Sequence, residues 1–160
     1  MPSSLTCVKA TNESVSMTQI PVPDTPGPGE ALVRPTLTTV CGSDIHLLEG
    51  MLPPGAPMGH EAVGVVEAVG DGVPSLKEGD RVAISCLQCC GYCDRCLEGN
   101  HSVCQTFGAP MNLVFGAQGE HIMIRGAQST LAKIPDTLED EQVLFVTDIM
   151  STGFAAVERS

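Results

Sequence analysis

The residues with the clearest potential for chemistry are the cysteines, because six of the eight fall between Cys86 and Cys104. Two-residue gaps let successive thiolates turn toward one zinc ion, and four thiolates leave no open position for a substrate. The spacing Cys-x2-Cys-x2-Cys-x7-Cys joins Cys90, Cys93, Cys96 and Cys104. It predicts a structural zinc site, whose metal would stabilise a lobe that contains little apolar material.

Spacing alone leaves the choice of four ligands from six cysteines open, because Cys86 and Cys89 offer the same two-residue gap. A disulfide framework would spread the cysteines along the chain, and thiols that stay reduced in the cytosol favour metal binding. Buried cysteines without a metal are another interpretation. Charge disfavours a nucleic-acid zinc ribbon, because Arg95, the one basic residue of the lobe, lies beside Asp94 and Glu98.

A thiolate and an imidazole earlier in the chain form a second constellation. Cys41 begins the run Cys-Gly-Ser-Asp-Ile-His, and His60 stands between Gly59 and Glu61 at the start of a predicted strand. A lone histidine is usually a hydrogen-bonded structural residue, and a lone cysteine is usually a small core residue. Together, and ahead of a thiolate-rich lobe, they indicate a second metal site.

Composition and charge limit the kinds of partner. The chain carries 19 acidic and 8 basic residues, a formal charge of -11 that would repel nucleic acids and anionic membrane surfaces. With 42% hydrophobic and 17% charged residues, the chain falls in the range of globular domains rather than disordered ones. We find no leader-like N-terminus and no apolar run of about 18 residues, so we predict a cytoplasmic protein.

The elements that must position these residues are mostly short strands, since 17 Gly and 12 Pro indicate many tight connections. A curled sheet is predicted from strand candidates at Leu5–Val22 (ending in an extended connector), Glu30–Val40, Ala62–Val69, Arg81–Ser85 and Gln118–Arg125.

Near the end of the chain the pattern becomes helical. Thr137, followed by Asp140 or Glu141, predicts a capped helix of about three turns that runs to Asp148. Thr152-Gly153 is predicted to interrupt it, and Phe154–Glu158 to begin a second helix.

In their order along the chain, these motifs resemble those of the zinc-dependent medium-chain alcohol dehydrogenases, in particular their N-terminal catalytic domain. The resemblance covers nearly the whole chain. It rests on Cys41-Gly42-Ser43-Asp44-Ile45-His46, on the run from Gly59 to Val66, on Glu78-Gly79-Asp80-Arg81-Val82, on the four-cysteine lobe, and on Asp148 ahead of Ser151-Thr152-Gly153. The run from Ile134 to Ile149 is similar to the branch that includes glutathione-independent formaldehyde dehydrogenases.

The resemblance implies a mainly β fold: a GroES-like, partly open β-barrel with short helices, a four-cysteine zinc lobe and a C-terminal helix. Residues 1–150 would form this catalytic domain, with the structural zinc lobe at residues 86–104. Residues 151–160 would begin the connection to a dinucleotide-binding Rossmann domain, which the chain is expected to lack. The glycines between Gly64 and Gly72 do not replace it, because they close a strand into an Asp-Gly turn rather than opening a helix toward a phosphate.

The resemblance also implies the roles of individual residues. Cys41, His60 and Asp148 match the ligands of the catalytic zinc, with an aspartate in place of a second cysteine. A carboxylate carries the same charge as a thiolate, so the net charge with zinc stays near zero. Glu61 would approach the metal and could exchange as a ligand.

Three further residues complete the implied site. Ser43 and His46 match a hydroxyl and imidazole proton relay, in which the serine accepts a proton and a histidine titrating near neutrality passes it to solvent. Thr152 would face the nicotinamide cofactor.

The function implied is that of the catalytic-domain portion of a zinc-dependent NAD or NADP alcohol or aldehyde dehydrogenase. Zinc would polarise the alcohol oxygen for hydride transfer to the nicotinamide, and each chain would hold two zinc ions, one catalytic and one structural. We expect a small alcohol or aldehyde substrate, a homo-oligomer (dimer or tetramer) at full length, and no activity from these 160 residues alone. The alternative hypothesis is a stand-alone structural zinc-binding module of the GroES-like fold without hydride chemistry, which needs only the four-cysteine metal.

Overall fold

The computed structural model describes residues 3–10, 14–108 and 112–158. The strands are β1 (Ser3–Lys9), β2 (Val15–Pro21), β3 (Ala31–Thr38), β4 (Ala62–Val69), β5 (Arg81–Ile84), β6 (Ile122–Ile124) and β7 (Leu131–Lys133). β1 pairs antiparallel with β2, and the others form an antiparallel sheet in the order β6-β3-β4-β5-β7. Within this described part, β6 and β7 stay at opposite edges, so the sheet does not close into a barrel. The predicted mainly β, partly open fold is confirmed.

Branched aliphatic side chains form the main core. They alternate along the strands of the five-stranded sheet, and the side chains that are almost completely buried include Val33, Val66, Val82, Ile84 and Ile124. Burying each such side chain contributes about 1.5–3 kcal/mol. The core therefore lies along the inner face of the sheet and gives the loops that carry the polar residues a rigid base.

The predictions for β3, β4 and β5 agree with the structure to within a few residues, whereas two other strand predictions are wrong in detail. The segment Leu5–Val22 contains two paired strands, β1 and β2, instead of one strand and a connector. The strand predicted at Gln118–Arg125 is shortened to β6, because Gly119 pairs in isolation with Thr6 of β1 instead.

The helices are short, as predicted. They are α1 (Gly42–His46), which continues into a wide helical turn (Leu47–Met51), α2 (Asp94–Leu97), α3 (Ala127–Thr130), α4 (Asp140–Val143), which continues into a 3₁₀ turn (Leu144–Thr147), and α5 (Ile149–Glu158).

The boundaries predicted for the last helices are wrong. The helix begins at Asp140 and not after Thr137, because the Glu139 backbone N–H donates to the Gln142 side chain in a capping box. The interruption falls at Asp148, whose backbone has φ -149° and ψ -71°. α5 then runs without a break through Thr152-Gly153, so the predicted domain boundary after residue 150 falls inside a helix.

Contacts with the sheet hold α4 and the following turn in place. The Asp140 carboxylate accepts a hydrogen bond from the Thr36 hydroxyl and pairs with Arg81, and these contacts lower its pKa. The Cys86 backbone N–H donates to the Thr147 carbonyl over 3.0 Å. The residue after Thr147 is therefore fixed against the end of β5.

None of the helices in the described part of the chain is long and apolar enough to cross a membrane.

Candidate metal centres

The four-cysteine lobe brings together the residues that its spacing singled out. The Sγ atoms of Cys90, Cys93, Cys96 and Cys104 all lie within 4.8 Å of one another. Burial opposes ionisation of Cys90, but hydrogen bonds from Thr106 and from the backbone at Tyr92 and Cys93 outweigh it and lower its pKa. A lowered thiol pKa favours the thiolate that binds zinc, whereas burial raises the pKa of Cys96 to about 12, so zinc would displace a proton there. The arrangement fits a closed site with four sulfur ligands, and the zinc itself stays a prediction.

The two other cysteines of this region have different surroundings. Cys89 is buried, and its thiol donates a weak hydrogen bond to the Ser129 carbonyl at 3.5 Å. Cys86 lies at the second centre instead, where burial and then the charge of Asp148 raise its pKa to about 12. The structure thus gathers the four cysteines of the family spacing and leaves Cys86 and Cys89 outside that group.

A second group of four metal-binding side chains comes from three separate segments. One donor atom each from Cys41, His60, Glu61 and Asp148 lies within 4.8 Å of the other three. Cys41 stands at the start of α1, His60 and Glu61 precede β4, and Asp148 lies between the 3₁₀ turn and α5. The fold therefore brings together the predicted ligands of the catalytic zinc with the predicted neighbouring carboxylate.

Cys41 is oriented by the beginning of α1. Its backbone is extended, with φ -84° and ψ 151°, and its N–H donates to Asp44 Oδ2 over 3.0 Å. The Asp44 N–H donates in return to the Cys41 carbonyl over 3.0 Å. This reciprocal pair fixes the residue that enters the helix.

Gly59 determines how the chain approaches His60. Its φ is +86°, a region that residues with a side chain rarely adopt. A Cβ atom at this position would lie 2.4 Å from Gln118 Cγ and 2.7 Å from the Gln118 backbone nitrogen. Only glycine therefore allows the loop to pass this close to Gln118 and turn His60 inward.

His60 and Asp44 form a buried pair that the sequence analysis did not identify. They are 1% and 4% exposed, and His60 Nδ1 lies 3.3 Å from Asp44 Oδ1. A carboxylate on one ring nitrogen orients the ring and directs the other nitrogen to a metal. The place of Asp44 three residues after Cys41 could have identified it as the capping partner of Cys41, but not as the neighbour of His60.

The pKa of His60 reflects these neighbours. Burial opposes its charged form, but hydrogen bonds and charges from Asp44 and Cys41 outweigh burial and raise the pKa to about 9. The raised pKa favours the charged ring in the metal-free protein, so a metal ion at Nε2 would compete with a proton.

The donor set fits a divalent cation. Within the described residues, Glu61 Oε1 is buried without a hydrogen-bond partner, and burial together with the charge of Asp148 raises the pKa of Glu61. Cys41, Glu61 and Asp148 could together bring up to three negative charges next to one imidazole. A zinc ion would neutralise most of that charge and satisfy the orphaned oxygen.

The remaining predicted site residues lie at different distances from this group. Ser43 Oγ lies 3.2 Å from His60 Nε2, at the centre itself. His46 is largely exposed, and its Nδ1 lies 3.5 Å from Glu49 Oε2. The Thr152 hydroxyl donates to Asp148 Oδ1 over 2.8 Å.

Comparisons with known proteins identify the family of this domain. Residues 27–136 match the family model described as the alcohol dehydrogenase GroES-like domain. An alcohol dehydrogenase of Cupriavidus necator is 38% identical over 91% of this chain and 45% of its own length.

Two solved structures have a similar fold. The alcohol dehydrogenase TADH from Thermus sp. ATN1 aligns with a TM-score of 0.88 and 34% identity, covering 97% of this chain and 47% of the other. The acetophenone reductase of Geotrichum candidum, in complex with NAD, aligns with a TM-score of 0.84 and 25% identity, covering 99% and 48%. The chain spans less than half the length of the curated relatives it matches, several of which are called zinc-type alcohol dehydrogenases.

Proposed function

The chain belongs to the alcohol dehydrogenase family through its GroES-like domain, and we propose that it supplies the catalytic domain of a zinc-dependent NAD or NADP alcohol or aldehyde dehydrogenase. The observation that carries the proposal is the group formed by Cys41, His60, Glu61 and Asp148, whose donor atoms all lie within 4.8 Å of one another. A structural zinc-binding module would need only the four-cysteine group, so this second group of donor atoms favours the enzyme.

Cys41, His60 and Asp148 would hold the catalytic zinc ion, which supplies a Lewis acid that polarises the alcohol oxygen for hydride transfer to the nicotinamide. Three protein ligands leave a fourth position for the substrate. Glu61 adds a neighbouring carboxylate that could exchange as a ligand.

The chain's own residues would orient the ligands and move the proton. With a metal bound, Asp44, 3.3 Å from Nδ1, would favour the tautomer that carries its hydrogen on Nδ1 and leaves Nε2 for the metal. The Ser43 hydroxyl, 3.2 Å from that nitrogen, is placed to accept a proton from a bound alcohol. His46 would exchange that proton with solvent from its exposed position on α1, and Thr152 would face the nicotinamide.

The second zinc of the proposal is structural and would be bound by Cys90, Cys93, Cys96 and Cys104. Residues 1–150 would form the catalytic domain, and residues 151–160 would lead to the dinucleotide-binding domain. We further propose a small alcohol or aldehyde as substrate, a homo-oligomeric enzyme, and a cytoplasmic location. The charge of -11 supports the expectation that neither nucleic acid nor a membrane surface is a partner.

Metal counting tests the proposal. Elemental analysis of the zinc-loaded chain should give two zinc ions, and Cys41→Ala or His60→Ala should each lose one of them. His121→Ala is the matched control, because His121 pairs with Glu67 at 3.2 Å, away from both centres, and should retain both ions.

A chain with one zinc ion that is unchanged in Cys41→Ala and His60→Ala would contradict the proposal. That result would favour the alternative, a structural zinc-binding module of the same fold.

A further inference from the structure

Asp148 occupies an unusual position at the start of the last helix. Its carbonyl accepts hydrogen bonds from the Thr152 backbone N–H at 2.9 Å and from the Ser151 hydroxyl at 2.7 Å. Its own backbone, with φ -149° and ψ -71°, is not helical. The residue is therefore anchored to the first turn of α5 through its main chain, while its side chain turns away toward His60.

The two carboxylate oxygens of Asp148 have different surroundings. Oδ2 lies 3.5 Å from His60 Nε2, on the side of the metal-binding group. Oδ1 accepts a hydrogen bond from the Thr152 hydroxyl over 2.8 Å. A carboxylate before a helix usually accepts from a backbone N–H of the first turn, whereas this one accepts from a side chain one turn along.

We propose that Thr152 is a positioning residue for the third metal ligand. Its hydroxyl holds Oδ1, which fixes the rotation of the carboxylate and leaves Oδ2 directed toward Cys41 and His60. The inference rests on the proposed function, because it assigns Thr152 a role toward a ligand of the catalytic zinc. It goes beyond that proposal because it assigns Asp148 a group that orients it. Thr152 would orient Asp148 in the same way that Asp44 would orient His60.

The chemistry of the threonine side chain allows this role alongside a contact with the cofactor. A hydroxyl has one hydrogen to donate and two lone pairs that accept. The hydrogen is given to Asp148, so a nicotinamide could still donate to the same oxygen. The two roles are separable, since positioning concerns zinc affinity in the absence of any cofactor.

Three substitutions in one helical turn test the inference. Thr152→Val keeps the shape and removes the hydroxyl, and Thr152→Ser restores the hydroxyl. Ser151→Ala removes a hydroxyl that donates to the Asp148 backbone carbonyl and not to its carboxylate. The zinc affinity of the second site is measured by competition with a chelator, with the four-cysteine site still loaded. Substituted Co²⁺ gives an absorption spectrum that reports ligand geometry at the same site.

We expect Thr152→Val to bind zinc at the second site about tenfold more weakly and to change the Co²⁺ spectrum, because removing a group that orients a metal ligand typically costs 10 to 100-fold in affinity. The zinc affinities of Thr152→Ser and Ser151→Ala should stay within about twofold of that of the original chain, a smaller change than the lower end of that range.

The possible failures are distinguishable. If the original chain binds two zinc ions and Thr152→Val matches it, or Ser151→Ala weakens binding as much as Thr152→Val, the inference is overturned and the proposed function stands. If the original chain binds only one zinc ion, and His60→Ala does not change that number, both are overturned.

Discussion

Both ring nitrogens of His60 lie close to polar groups from different parts of the sequence. Asp44 Oδ1 lies 3.3 Å from Nδ1, while Ser43 Oγ and Asp148 Oδ2 lie 3.2 Å and 3.5 Å from Nε2. In a buried environment such contacts decide both the protonation and the orientation of the ring. Asp44 is the neighbour best suited to a test, because it approaches the side opposite the metal-binding group.

We predict that Asp44→Asn lowers the pKa of His60 in the metal-free protein and weakens zinc binding at this site by about 10 to 100-fold. The asparagine carbonyl can still accept from the Cys41 N–H, so α1 should keep its cap. The measurements are an NMR titration of the His60 ring and zinc affinity by chelator competition.

The sign of the associated stability change follows from the direction of the shift. The raised pKa of His60 adds stability that is complete below its ordinary pKa of 6.5 and is lost as the pH rises through about 9. The metal-free chain should therefore lose stability across this window, and Asp44→Asn should lose less. Glu49→Gln, which removes an exposed carboxylate paired with His46, is the control. An unchanged His60 titration in Asp44→Asn would contradict the prediction.

Sequence and resemblance could predict the donor residues but not their supporting contacts. Cys41 and His60 were singled out together by residue type and order, and the resemblance added Asp148; the structure brings their donor atoms within 4.8 Å of one another. The contact of Asp44 with His60 and the place of Cys86 beside Asp148 depend on how α1, β5 and the 3₁₀ turn pack together. Side-chain neighbours of that kind are set by tertiary structure and leave no fixed spacing in the sequence.

At the scale of elements, the loop before β4 depends on a single glycine. We predict that Gly59→Ala destabilises the domain by about 2 kcal/mol or more, because a left-handed backbone costs roughly 1–2 kcal/mol and the crowding against Gln118 adds to it. The displaced loop should also lose the second zinc while the four-cysteine zinc is retained. Urea unfolding and elemental analysis measure the two effects.

Gly72→Ala is a matched control, since Gly72 also has a positive φ, +82°, but a Cβ there would meet nothing within 4 Å. This variant should lose only the roughly 1–2 kcal/mol of the left-handed backbone and keep both zinc ions. Equal losses in the two variants would show that backbone strain alone, and not the approach to Gln118, governs the loop.

The elements differ in how well the sequence predicts them, for physical reasons. β4 and β5 are runs of branched or small residues bounded by turn dipeptides, so local preference and packing agree. At the start of α4, two capping patterns overlap, Thr137 with Asp140 and Glu139 with Gln142. The bonds of Asp140 to Thr36 and Arg81 accompany the second pattern, and those partners are distant in sequence. The interruption of the helix at Asp148 accompanies a contact of its side chain with His60, which is distant in sequence. Local sequence could therefore not predict it.

At the scale of the whole molecule, the two centres place different demands on the chain. The four-cysteine group lies within residues 90–104, so its metal would order a local lobe. The second group joins positions 41, 60, 61 and 148, so its metal would connect segments that are far apart in sequence. Overall fold class was predictable because the strand pattern and the motif order agree, whereas the relative placement of these segments required the structure.

The last helix, α5, buries none of its residues. Segments with little buried surface open most easily, and their amide hydrogens exchange with solvent fastest. An ion bound by Asp148 would connect this helix to the sheet. In His60→Ala we therefore expect the amides of residues 149–158 to exchange about tenfold faster than in the zinc-loaded chain. The amides of α2 should exchange at an unchanged rate and serve as the reference. Equal rates would mean that the helix is held by its other contacts. If exchange is faster in His60→Ala, occupancy of the metal site controls how often α5 detaches from the sheet. It would then also control how firmly any segment that follows α5 is aligned.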